Sequence, residues 1–66
     1  MPNRVDVGER LKKLRGSRSR EEVAIAAGVT AQAISNYEIG IRTPSDDIKC
    51  KLANYFGKTV QEIFYD

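Results

Sequence analysis

Gln32 and Asn36 stand four residues apart in T-A-Q-A-I-S-N-Y-E, residues 30–38. On a helix that spacing sets two amides one above the other on the same face. Each amide donates and accepts at once, which matches the N6 and N7 edge of adenine in a duplex major groove and discriminates by roughly 1–3 kcal/mol per contact. Ala31 carries only a methyl, suited to the methyl of thymine, and Ser35 could serve a base or a phosphate. Between 31 and 38 there is no arginine or lysine to fork onto guanine. By residue type alone, this set would read as an ordinary exposed helix face.

Other chemistries find few residues. The chain has no histidine, and its one cysteine, Cys50, has no second ligand at metal-binding spacing. It has no phosphate-cradling glycine loop, and no paired carboxylates stand outside helix starts. No enzyme activity, metal, cofactor or small-molecule ligand is therefore expected. At 66 residues the chain makes one small domain, without room for a second catalytic or sensor domain. A lone cysteine suits a reducing compartment, and no apolar run approaches the length of a leader or a bilayer span. The expectation is a cytoplasmic protein with no membrane partner.

A net charge of +2 is too small to argue for nucleic acid, so its distribution matters more. Arg10, Lys12, Lys13, Arg15, Arg18 and Arg20 follow one another with no acid between them. Beside a pair of amides on a helix, such a run points toward phosphates.

Two short helices must position these groups. From Arg20 to Glu38, apolar residues recur at Val23, Ala27, Ile34 and Tyr37, with Val29 at the corner between them. Ala24 is small enough for the two helices to close. Gly28 can take the left-handed conformation that reverses the chain, and Thr30 caps the second helix. Ser19 with Glu22 makes a capping box, so the first of the two opens at Arg20 with free N–H groups that attract anions.

Upstream, Asp6 with Glu9 predicts the start of another helix, with Val7, Leu11 and Leu14 as its buried stripe. Residues 1–5 read as a flexible arm and 6–66 as the domain. Downstream, Gly40 and Pro44 mark a loop, Ser45 caps a fourth helix, and Ile48, Leu52, Tyr55 and Phe56 are its buried side. Gly57 ends that helix. Thr59 with Glu62 opens a fifth, whose Val60, Ile63 and Phe64 complete the core.

Ala24, Gly28 and the apolar set at 23, 27, 29, 34 and 37 resemble the helix-turn-helix of the lambda-type phage repressor and Cro superfamily, also called the xenobiotic-response-element family. V-G-E-R-L-K-K-L-R before the motif, and Y-E-x-G-x-R-x-P with L-A-x-Y-F-G-x-T-V-x-E-I-F after it, extend the likeness over nearly the whole chain. The resemblance implies an all-α, compact five-helix domain with the third helix in the major groove. Ala31, Gln32, Ser35 and Asn36 would then meet bases, with A·T pairs under Gln32 and Asn36. Ser19, Arg20, Thr30, Arg42 and Thr43 would meet phosphates. Many relatives carry glutamine at the position of Arg20 and lysine at Ile39 or Ile41, so Arg20 keeps the phosphate role without that glutamine's base contact, and fewer backbone contacts are expected around 39–41.

In the resembling family an arginine after the leucine of L-R pairs with the glutamate that closes the recognition helix, which here implies an ion pair of Arg15 with Glu38. Phe64 and Tyr65 are implied at the interface with a second copy. The partners expected are double-stranded DNA and a homodimeric mate. The function expected is a sequence-specific transcription regulator, a repressor of phage or mobile-element type reading a palindrome. The alternative is an antitoxin or another interaction module that masks a partner protein and binds DNA secondarily.

Overall fold

The computed structural model describes residues 2–66. Its elements are α1 (Arg4–Arg15), α2 (Arg20–Ala27), α3 (Ala31–Ile39), α4 (Asp46–Phe56) and a closing π-helical turn (Gln61–Tyr65). The fold is all-helical, and among the described residues no helix is long and apolar enough to cross a membrane.

Local side chains start most of these helices. The hydroxyls of Ser19, Thr30 and Ser45 accept the backbone N–H of Glu22, Ala33 and Ile48 at 3.1, 3.1 and 3.4 Å. Each satisfies a donor that the first turn leaves without a partner. At Thr59 the box is reciprocal: Glu62 N–H reaches Thr59 Oγ1 at 3.0 Å, and Thr59 N–H reaches Glu62 Oε1 at 2.9 Å.

That last bond also holds the Glu62 carboxyl below the usual glutamate range, because the Thr59 N–H favours the charged form. Since the folded value lies below the unfolded one, the contribution is complete above the ordinary glutamate pKa and is lost as pH falls through the lower folded value. Glu62→Gln is expected to flatten the acid limb of a Tm-against-pH curve. An acid limb identical to that of the unaltered protein would contradict this assignment.

The first helix begins earlier than expected. Asn3, not Asp6, is its cap: Asn3 Oδ1 accepts Asp6 N–H at 2.9 Å, and the Asp6 carboxylate accepts Asn3 N–H at 3.4 Å. Arg4 and Val5 are therefore helical rather than part of an arm, while Met1 lies outside the described residues. Both boxes were available to the chain. The upstream one is used because the first turn then packs its Val5 backbone against Gly40, in the loop after α3.

Between α2 and α3, Gly28 sits at φ 71°, and Val29 N–H returns to the Ala24 carbonyl at 3.0 Å. This pairing satisfies carbonyls of the last turn of α2 as it redirects the chain. At 8 residues α2 is too short to persist in water by itself, so packing must hold it. Val23, Ala24 and Ala27 supply that packing; they are buried with Leu11, Ile34, Tyr37, Leu52, Ala53, Ile63 and Phe64 in one core. There α2 lies on α3 and α4, while α1 lies on α3 and the closing turn.

The C-terminal turn corrects a further expectation. Phe64, implied at a dimer interface, is only 4% exposed, with its ring in the core. Hardly any of its surface is left for a second copy. Tyr65 is half-buried, and its hydroxyl accepts from Lys49 Nζ at 2.9 Å. Arg10 fastens this turn by donating to the carbonyls of Glu62, Ile63 and Asp66 at 3.3, 3.1 and 2.5 Å. A helix end leaves such carbonyls without intrahelical donors, and the guanidinium supplies them.

Candidate nucleic-acid interface

The two sides of α3 have different tasks. Ile34, Tyr37 and Glu38 point inward and are buried. Gln32 is exposed, and Ala31, Ser35 and Asn36 are half-buried on the outer side. Periodicity explains the division, since Ile34, Tyr37 and Glu38 are three and four residues apart and share one stripe.

Gln32, Ala31 and Ser35 line one open groove of about 420 Å³ with Arg15, Ser19, Arg20 and Glu21. The outer face of α3 and the start of α2 thus border the same space. Two short helices joined at Gly28 produce this arrangement, because the turn folds the start of α3 beside the body of α2 while both bury their apolar stripes. The hydroxyls of Ser19 and Thr30 use an acceptor lone pair in capping and keep their O–H donors.

Glu38 anchors the groove from below. Its side chain is 2% exposed, and its carboxylate receives Arg15 Nε at 2.7 Å, Arg15 Nη2 at 3.2 Å and Arg20 Nε at 3.2 Å. Arg15 also donates from Nη1 to the Arg18 carbonyl at 2.8 Å, so every nitrogen of its guanidinium is engaged within the fold. The hydrogen bond with Glu38 raises the Arg15 pKa further and keeps it charged. Among the described residues Arg20 is tied through Nε alone, and its side chain, 42% exposed, lines the groove. The sequence reading missed this second partner of Glu38, although an arginine at the first position of α2 is placed to reach the end of α3.

The basic run is largely occupied by the fold, which corrects its reading as a row of phosphate contacts. Arg10 holds the C-terminal turn. Arg18 donates to the Leu14 carbonyl at 3.2 Å, stands 3.9 Å from Glu22, and lies over the rings of Tyr55 and Phe56 at 5.3 and 5.8 Å. Lys12 and Lys13 are the exposed cations left in that run. An arginine's fork and its affinity for ring faces suit it to such internal tasks.

Arg42 and Thr43 are exposed, but they border a different groove, of about 400 Å³, with Asn3, Arg4, Lys49 and Tyr65. The structure does not bring them into the groove of Arg20. Their loop is nevertheless fixed to α3, since the N–H groups of Gly40, Ile41 and Arg42 converge on the Asn36 carbonyl at 3.1, 3.1 and 3.3 Å. Ile39 and Ile41 flank it as exposed apolar side chains.

Comparison with known proteins places this arrangement. A family model described as helix-turn-helix matches residues 10–63. The restriction-modification controller protein C.AhdI from Aeromonas hydrophila is 31% identical, with 91% of this chain and 94% of that chain covered, at a TM-score of 0.81. The P22 c2 repressor, solved in complex with a synthetic operator, is 20% identical over 89% of this chain and 92% of that one, at a TM-score of 0.86. The SOS-response repressor LexA from Eubacterium rectale is 23% identical over 97% and 70%, at 0.87. The last two identities speak for the fold alone. No curated protein sequence matches significantly.

Proposed function

Because the chain belongs to the lambda-repressor-like helix-turn-helix family of DNA-binding transcriptional regulators, we propose that it is a sequence-specific, homodimeric repressor of phage or mobile-element type. It reads an inverted-repeat operator with α3 in the major groove. The observation that carries this reading is the shared groove, in which Gln32 and Ser35 face the same space as Ser19 and Arg20 at the start of α2. Amides and a methyl sort base edges, while a helix start with a half-free arginine suits a phosphate.

Ala31, Gln32, Ser35 and Asn36 are the base contacts in this proposal, with an A·T pair under Gln32. Ser19, Arg20, Thr30, Arg42 and Thr43 are the phosphate contacts. A two-fold dimer would set its two α3 helices about 34–36 Å apart, one DNA turn. With Phe64 in the core, Tyr65 is what remains of the expected dimer surface. The 31% identity to a restriction-modification controller protein favours a second reading, in which the regulated genes are those of such a system.

Binding-site selection on Gln32→Ala tests the proposal. The variant is expected to lose preference at one position of each half-site by roughly 1–3 kcal/mol, with its melting temperature unchanged. Selection of the same site with the same preference would remove Gln32 from the reading. Arg42→Ala is expected to weaken binding about equally on all sequences and to reduce the salt slope by about 1. A loss confined to one base pair would instead make Arg42 a base contact.

A further inference from the structure

The groove of about 400 Å³ beside Arg42 gathers cations from three places in the chain: Arg4 of α1, Arg42 of the loop after α3 and Lys49 of α4. Among the described residues, no aspartate or glutamate lines it. Arg4 and Arg42 are exposed and form no ion pair with a described residue. Lys49 differs, because its side chain is only 12% exposed, while the carboxylate it pairs with, on Asp46, stands 3.8 Å off on a side chain that is 96% exposed. That distance is beyond a hydrogen bond. The Lys49 ammonium instead donates to the Tyr65 hydroxyl at 2.9 Å and lies over the rings of Tyr65 and Phe64 at 4.8 and 5.5 Å. An ammonium has three donors, and a phenol hydroxyl that accepts still has its own O–H to give. The groove therefore holds donors and positive charge without a matching acid. Like charges brought together raise the energy of the folded chain, and an anion seated among them offsets this.

We infer that this groove is a binding site for a small, free, phosphate-bearing anion, held by Lys49 and Tyr65 within and by Arg4 and Arg42 at the exposed edge. Three cations suit a multiply charged group better than a single carboxylate, and an arginine fork matches phosphate oxygens. A duplex backbone can meet the exposed Arg42, but an ammonium so nearly enclosed is open chiefly to a group small enough to enter the groove. Residue types alone suggested no such ligand, since only the packing of α1, the loop, α4 and the closing turn brings the four side chains together. Arg42 is also a phosphate contact in the function proposed above; resting on that reading, the anion and the operator compete for one side chain.

Inorganic pyrophosphate is the probe, titrated into the full chain without DNA at an ionic strength held constant with sodium chloride. The amide resonances of Arg4, Arg42, Thr43, Lys49 and Tyr65 should shift together and saturate, and the melting temperature should rise with pyrophosphate concentration. Arg4→Gln and Lys49→Met should each weaken this binding by about tenfold, the worth of one hydrogen bond to a charged group. Lys12→Met removes the same charge from an exposed side chain outside the groove and should leave the binding unchanged. Because Arg4 is exposed and unpaired among the described residues, Arg4→Gln is expected to melt like the wild type even if Lys49→Met does not.

Equal weakening by Lys12→Met, or shifts that grow without saturating, would reveal diffuse attraction to a basic chain and overturn the site. Absence of pyrophosphate binding, with a smaller salt slope of DNA binding in Lys49→Met, would overturn it as well and give the groove to the operator backbone. On a selected operator, pyrophosphate should weaken DNA binding by the wild type more than by Arg4→Gln; an equal effect on both would overturn the competition. If the chain binds no DNA while the titration behaves as expected, the proposed function fails and the anion site stands.

Discussion

Glu38→Ala is expected to destabilise the domain by about 3 kcal/mol, because it leaves a largely buried guanidinium without its counter-charge. The Arg15 side chain is 13% exposed, so solvent cannot replace the carboxylate. Arg20 adds little to the loss, since its side chain is 42% exposed and pairs at that exposure are worth little. A domain of this size has a total stability of roughly 3–10 kcal/mol, so the change removes a large share of it. In a thermal melt the midpoint should fall by roughly 12–24 °C. Glu38→Gln, which keeps the shape and one acceptor, should lie between the two. A midpoint within a degree or two of the wild type for Glu38→Ala would show the clamp to be ornamental. Loss of DNA binding should follow the loss of fold, and cooling into the folded range should restore it.

Gly8→Ala sets two effects of opposite sign against each other. Gly8 is buried where α1 crosses α3; a Cβ there would fall onto the Glu38 carbonyl oxygen and 2.7 Å from that of Tyr37. Both obstacles are backbone, so neither can rotate away, and the helices must separate. Overpacking of this kind costs about 3 kcal/mol at the upper end of its usual range. Alanine's better helix propensity returns about 1 kcal/mol. The net expectation is a loss of about 2 kcal/mol, seen as a lower denaturant midpoint with little change in slope. A midpoint equal to or above the wild type would mean that propensity wins and that the helices do not press together at residue 8.

How much of this was legible depends on how far apart in the chain the interacting groups lie. Ser19, Thr30 and Ser45 cap helices through bonds to residues three positions on, so type and spacing were enough to place them. The outward position of Gln32 followed from the periodicity of Ile34 and Tyr37 in the same way. Asn3 and Asp6 show where local information stops. Two overlapping boxes were each acceptable, and the loop packed against Val5 selects between them. Gly8 was silent because a glycine advertises flexibility, whereas its use here is to admit another helix's backbone.

The arginines show the other limit. Arg10 reaches a carbonyl 53 residues away, and Arg15 reaches a carboxylate 23 residues away. Apart from Arg15, which the family resemblance had paired with Glu38, nothing in R-L-K-K-L-R-G-S-R-S-R separates a side chain that will grip the fold from one left free for phosphates. By itself the sequence determined the helices, the turn at Gly28, the apolar set and the family, because caps, helical period and motif spacing act within a few residues. The tertiary structure alone decided which cations besides Arg15 were taken up inside the domain, that Phe64 was enclosed, that Gly8 was a contact point, and that Arg20 shares Glu38 with Arg15. Those outcomes depend on which surfaces meet once the helices have packed, and the chain's order does not carry that information.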